Sequence, residues 1–274
     1  MNNRVILQDL AQKTIEISKN GKYQIGNRIY NFETENKTEI FKDCDFDRIK
    51  SCIELKEKFL NTKIEIKNEG TVDAVFRLSK DSNKNMSLGI LNFASAYNPG
   101  GGFESGAMAQ EECLAYCSDL YLKQVNGKGY EYYEKNRANR NPLYSDNMLM
   151  SNVTFFRNSR FSLVGNHIMC NVLTSPAVNM GIVRDRGGDV DKARNIMKNR
   201  MRKILYLFAY YNCTNIVLGA FGCGVFGNSP DDVAKYWYEL LYEENLKSYF
   251  EYISFSILDK PGRISNIDVF KNYF

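Results

Sequence analysis

A single histidine, His167, and a single tryptophan, Trp237, serve a chain of 274 residues. One imidazole removes most Ser-His-Asp and Cys-His schemes of nucleophilic catalysis, and a lone histidine is more often structural. Proline is scarce, at five. Beside abundant Asn, Lys, Ile and Tyr, this reads as compositional habit rather than a functional mark. No stretch approaches the roughly 18 apolar residues of a membrane helix. The opening "MNNRVILQDL" carries charge and has no apolar core segment, so no signal peptide is expected. Net charge is only +4, from 36 Lys and Arg against 32 Asp and Glu. That balance argues for neither nucleic acid nor a membrane surface, and is compatible with a groove that accepts an anion. The cysteines, Cys44, Cys52, Cys113, Cys117, Cys170, Cys213 and Cys223, are odd in number and form no C-x-x-C pair. Free thiols in a reducing cytoplasm are expected. Cys113 and Cys117 stand i, i+4 on a helix, but without further paired ligands no zinc site is expected, and no other metal or cofactor.

What is present suffices for a large core: 44% of residues are hydrophobic, in a chain long enough to need no staples. Helical spacing runs over 4–19 and ends at Asn20-Gly21. A polar hairpin is expected around Gly26-Asn27, and 33–50 reads as a charged, irregular extension. "TKIEIKN" alternates like a strand at a sheet margin, and "TVDAVFRLSKD" reads as a helix capped by Thr71. "MSLGILNFASA" reads as a buried strand, followed by a helix from Gln110 to about Val125. "GYEYYEKNRANRNPLY" begins helical and breaks at Pro142. "NMLMSNVTFF" and "IMCNVLTSPA" read as strands, 189–211 as a long helix, "TNIVLGAFG" as a buried strand and "YISFSILD" as a last strand. "SPDDVAKYWYELLYEE" is a helix with Ser229 as cap, Pro230 in the first turn, and Asp231 and Asp232 at the positive end. Strands alternating with helices indicate an α/β layer fold around a partly parallel sheet.

Two glycine loops therefore follow buried strands and precede helices, where open α/β sheets bind ligands. One is Gly100 to Gly102; the other is "GAFGCGVFGN", 219–228. Glycine lets backbone N–H groups approach phosphate closely. Gly222, Gly224 and Gly227 also satisfy G-x-G-x-x-G, but only 47 residues separate that motif from the last residue. The acid expected about 20 residues on would be Glu243 or Glu244, inside a helix, which counts against a dinucleotide enzyme. Glu111 and Glu112 open the helix after the first loop. First-turn acids need no more than the helix dipole to explain them, yet the glycines just before would bring a phosphate near. Carboxyls that hydrogen-bond sugar hydroxyls and protonate a glycosidic oxygen reconcile the two. The local logic is a diphosphate-bearing sugar with its anomeric carbon near Glu111 and Glu112.

The stretch "NPGGGFESGAMAQEE", 98–112, with seven residues between the triplet and Q-E-E, resembles the signature of poly(ADP-ribose) glycohydrolases. "LNFASAYNPGGGFESGAMAQEECLAYCSDLY", "NPLYSDNMLMS", "VLTSPAVNMG", "MRKIL" and "LGAFGCGVFGNSP" resemble the compact bacterial-type branch, as does the leading "KTIEISKNGKY". The likeness runs in order from about residue 8 to 258 and is weakest over 33–60. It implies a macrodomain core, a three-layer α/β/α sandwich with a mixed sheet. It also implies an N-terminal helical extension, 1–60, packed on a glycohydrolase unit, 61–274. The implied reaction is hydrolysis of the ribose–ribose O-glycosidic bond of poly(ADP-ribose), releasing ADP-ribose, by a monomeric cytoplasmic enzyme without membrane contact. By the same resemblance Glu112 is the catalytic acid, Glu111 holds ribose hydroxyls and Gln110 supports the loop. Gly100, Gly101 and Gly102 line the distal ribose and diphosphate, with Asn98 at the ribose. Gly222, Cys223, Gly224, Val225 and Phe226 wrap the diphosphate, Phe226 nearest the terminal ribose. Glu112 needs its proton near neutral pH. Cys223 is given no nucleophilic role, and a side chain at Gly224 is expected to block the ligand or strain the backbone. A hydrolase for mono-ADP-ribosylated protein or nucleobase is an alternative. A non-catalytic ADP-ribose reader is another, against which the intact Q-E-E argues. The tyrosine-rich 127–144 is where substrate preference would differ.

Overall fold

The computed structural model describes residues 3–56, 58–80, 87–139, 141–259 and 265–274. Asp81 and Met86, the margins of two expected elements, lie outside them. In chain order the elements are α1 (Asn3–Asn20), β1 (Lys22–Ile25), β2 (Arg28–Asn31), β3 (Thr38–Phe41), α2 (Phe46–Glu54), β4 (Lys63–Lys67), α3 (Thr71–Lys80) and β5 (Leu88–Phe93). Then come α4 (Gln110–Cys117), α5 (Leu120–Val125), α6 (Lys128–Ala138), β6 (Met148–Arg157), β7 (Leu163–Ser175), α7 (Met180–Asp185) and α8 (Val190–Tyr210). β8 (Asn215–Leu218), α9 (Pro230–Tyr238), β9 (Tyr252–Ser256) and α10 (Asn266–Lys271) complete them. Among the described residues no helix is long and apolar enough to cross a membrane.

Seven strands form one mixed sheet in the order β3-β6-β7-β5-β8-β9-β4. β7, β5, β8, β9 and β4 run parallel, while β6 is antiparallel to both of its neighbours. Strand side chains alternate between faces, and two cores result. Leu88, Ile90, Val172 and Val217 meet α1, α3 and α4 on one face. Leu91, Leu173, Ile216 and Leu218 meet α2, α8, α9 and α10 on the other. These are the three layers expected. β1 and β2 form the separate hairpin, turning at Gly26 with φ +56°.

Three local readings are corrected. Residues 33–50 are not irregular: Thr38–Phe41 pairs antiparallel with β6, Thr38 opposite Ser151 and Phe41 opposite Met148. Its four residues carry too little pattern of their own, and the partner strand decides their conformation. The helix expected to run to 125 stops after Cys117. The Asp119 N–H donates to Thr154 O (3.2 Å), and the Thr154 N–H donates to the Asp119 carboxylate (2.8 Å), stapling the chain to β6 before α5 begins. Thr71 is the first residue of α3, and its hydroxyl accepts from the Gln110 side chain (3.2 Å). The Ser229 cap is as expected, its hydroxyl accepting from Asp232 N–H with Pro230 next in line. α10 had no counterpart in the sequence reading.

Candidate active site

β5 and β8 are adjacent and parallel, so the loops leaving their carboxyl ends meet above the sheet. Between them lies a groove of about 210 Å³. It is lined by Phe93 of β5, by Ala109 and Gln110 at the start of α4, by Ala177 after β7, and by Ala220, Phe221, Gly222, Gly224, Val225 and Phe226 of the loop after β8. The aromatic wall has its own support: Phe93 packs on Phe221 (5.6 Å between centroids) and Phe226 on Tyr144 (5.8 Å).

The two glycine loops do different jobs. In the first, every triplet N–H is already used. Gly100 donates to Gln124 Oε1 (2.7 Å), Gly101 to Asn98 O (2.9 Å) and Gly102 to Glu112 Oε1 (2.7 Å). Gly101 has φ +61°, and a methyl there would overlap Glu112 Oε1 and stand 3.1 Å from Glu111 Oε2. The bare backbone beside the carboxyl pair is thus explained first by the carboxyls themselves. In the second loop the N–H groups of Gly224, Val225 and Phe226 donate to no group among the described residues. Three consecutive free donors on a groove wall form a cradle for anionic oxygens. Asn228 holds that loop from behind, its amide donating to Val178 O (2.8 Å) and Gly222 O (3.1 Å). The strain anticipated at Gly224 is absent there, because a Cβ at Gly224 meets nothing within 4 Å. The positive φ angles belong to Gly222 (+75°) and Gly227 (+65°).

Glu112 is fixed at both oxygens, since Oε2 accepts from Ala109 N–H (2.9 Å) as Oε1 does from Gly102. Glu111 is buried and turns toward the sheet. It accepts from Ser95 N–H (2.7 Å), Asn92 Nδ2 (3.2 Å) and Gln124 Nε2 (3.3 Å). Burial pushes its carboxyl up to about 8 against those donors, and the Glu112 charge adds to the rise. Tyr133 Oη of α6 lies beside Glu111 without completing a hydrogen bond to it. Gln110 spends its amide on β5, accepting from Phe93 N–H (2.9 Å) and donating to Leu91 O (2.8 Å). Asn98 is exposed, its carbonyl accepting from Gly101 N–H. Burial raises the Cys223 thiol to about 12, far from a ready nucleophile.

The structure therefore gathers Glu111, Glu112, Gly100, Gly101 and Gly102 into one hydrogen-bonded cluster around the start of α4, while the groove itself is lined by Gln110 of that helix and by Gly222, Gly224, Val225 and Phe226. Asn92, Ser95, Gln124, Thr174 and Tyr133 around Glu111, and Phe93 and Phe221 in the groove, were not singled out from the sequence. The aromatic pair and Asn92 were absorbed into strands read as core. Gln124 lies on a helix whose break was missed.

Among curated proteins none matches this sequence. The family described as "Microbial-type PARG, catalytic domain" matches residues 11–158. Solved structures of poly(ADP-ribose) glycohydrolase (PARG) are similar. That of Thermomonospora curvata is 30% identical, covers 99% of this chain and 100% of its own, and superposes with a TM-score of 0.91. The same protein bound to the inhibitor ADP-HPD superposes at 0.87. That of Deinococcus radiodurans, in complex with ADP-ribose, is 34% identical over 86% of this chain and 94% of its own, with a TM-score of 0.80.

Proposed function

This chain belongs to the family of microbial-type PARG catalytic domains, and we propose on that premise how its site works. It is a glycohydrolase acting on poly(ADP-ribose). The supporting observation is one groove lined both by Gln110, at the start of the helix that carries the fixed carboxyl pair, and by a loop with three free backbone donors. ADP-ribose lies along the groove with its diphosphate against the N–H groups of Gly224, Val225 and Phe226. Phe226 then packs the terminal ribose, Asn98 reaches a ribose hydroxyl, and Gly222 and Cys223 shape the loop. Gly100, Gly101 and Gly102, whose own donors are spent, contribute close backbone approach and hold Glu112.

Glu112 donates its proton to the departing ribose oxygen as the bond to the anomeric carbon breaks. The carbon gains oxocarbenium character, which the negative Glu112 stabilises. Water then attacks that carbon and gives its proton to Glu112, restoring the acid. Glu111, kept neutral by burial at pH 7, meets ribose hydroxyls without adding a second charge. Gln110 fixes the start of α4 on β5, so the carboxyls keep their aim. The same reading holds the enzyme to be monomeric and cytoplasmic, with ADP-ribose released as product.

Glu112→Gln tests this. The variant should bind ADP-ribose within a few-fold of wild type by calorimetry and turn over poly(ADP-ribose) at least ~100-fold more slowly. Near-normal turnover would remove Glu112 from the mechanism.

A further inference from the structure

The first loop is held from below by a residue no motif marks. Tyr116 of α4 is fully buried, and its hydroxyl forks to two carbonyls of the loop, Phe103 O (2.9 Å) and Ala107 O (3.0 Å). Between those carbonyls the chain turns back on itself. Ser105 N–H and Ala107 N–H both donate to Gly102 O (3.0 Å each). The peptide that follows Gly102 is thereby locked, and Gly102 is the residue whose N–H holds Glu112 Oε1. The Phe103 ring lies on the Tyr116 ring, 4.9 Å between centroids.

The bracket continues into α1. The Thr14 hydroxyl donates to Tyr116 O (3.1 Å) and accepts from Arg157 Nε (3.3 Å). At the far end of the turn, Gly106 has φ +77°, and a methyl there would stand 2.6 Å from Arg4 O. The first turn of α1 therefore presses on the loop where only glycine fits. α1 also packs on this face through Ala11 and Ile15, with Leu7 and Leu10 beside them.

We propose that Tyr116 is a positioning residue for the hydrolysis, setting the Gly102 peptide that aims Glu112, and that α1 is coupled to the carboxyl through it. This rests on the functional reading above, because the loop matters to rate only if Glu112 reacts. Small displacements of a reacting group cost rate out of proportion to stability. The phenol acts on the loop that holds the acid in place, leaving the diphosphate cradle after β8 untouched. Loss of the hydroxyl should therefore lower kcat while sparing affinity.

Tyr116→Phe keeps the ring and removes the fork. Expected are a fall in kcat of about tenfold, with KM and the Kd for ADP-ribose within about twofold. Amide hydrogen exchange over 100–109 should speed up at least about tenfold, with the sheet unchanged. Thr14→Val, one link further away, should raise exchange in the same segment by a smaller factor. It judges the coupling if Tyr116→Phe does not fold. Unchanged exchange over 100–109, or faster exchange spread evenly through the sheet with kcat and Kd falling together, overturns the proposal. Should wild type fail to cleave poly(ADP-ribose), the functional reading falls. Exchange over 100–109 then still decides whether the bracket exists.

Discussion

Glu111 carries opposed forces at one carboxyl. Three donors favour its charge, while removal from water and the neighbouring Glu112 disfavour it, and burial prevails at about 8. The folded pKa lies above the ordinary carboxylate value. Between roughly pH 4.5 and 8 the folded state therefore holds a proton that the unfolded state has released. Stability should fall as pH rises through that window, by up to about 1.4 kcal/mol per pH unit. Buried Asp119 is also raised, so the measurement compares urea denaturation of wild type and Glu111→Gln at pH 5 and pH 8. The variant should lose less stability over that interval. Equal losses would put the shift elsewhere. The pair itself was legible, because Q-E-E opens a helix after glycine. Which oxygen faces which donor was not, since Asn92, Ser95 and Gln124 come from two other segments that only the fold brings together.

At the scale of the element, the second loop separates its glycines by role. Gly222 needs its φ of +75°, and a Cβ would sit 2.5 Å from Ala177 Cβ and 2.6 Å from Asn228 Nδ2. Gly222→Ala should destabilise the protein by about 1–3 kcal/mol. Gly224→Ala adds a methyl into open space and should leave stability within about 0.5 kcal/mol. It should nonetheless weaken ADP-ribose binding, because the methyl stands beside the free N–H groups. Thermal melts paired with calorimetry distinguish the two, and equal Tm losses would deny the division. Strand, loop and helix were all readable here, with Ser229 and Pro230 marking the start of α9. The conformation within the loop was not, because spacing alone cannot say which glycine of several takes positive φ. The break between α4 and α5 was half visible. Ser118 and Asp119 are residues that favour helix starts, but their partner, Thr154, lies 35 positions on.

For the molecule as a whole, one buried cation ties distant segments together. Arg200 of α8 is fully buried and donates to Asp146 Oδ1 (2.8 Å), Pro176 O (2.9 Å) and Leu143 O (2.7 Å). Lys203 joins the cluster, pairing with Asp146 Oδ2 (2.7 Å) and with Asp43. The segments before β6, after β7 and before α2 are thus pinned to one helix. Arg200→Ala should cost about 3–5 kcal/mol in urea denaturation, the scale for stranding buried partners. A loss under about 1 kcal/mol would show the cluster to be incidental. The sequence disclosed the alternation of strands and helices, and hence the layers. It did not disclose that β3 joins the sheet, because four residues among charges take their state from β6. Nor did it disclose strand order, which depends on crossovers rather than on local pattern.

The two rims of the sheet also bear on self-association. On one rim β4 sets Lys63, Glu65 and Lys67 at alternate positions, with Glu65 bonded to Lys63 (2.5 Å) and Lys67 (3.1 Å). A foreign strand seeking the unpaired backbone there would have to dehydrate a ladder of ions. On the other rim β3 is only four residues long, too short a template to seed a growing stack. Behind these guards lie strands such as Leu88–Phe93, buried on both faces, of the kind that aggregate once exposed. Partial unfolding that peels off either rim is therefore the route by which this chain would precipitate.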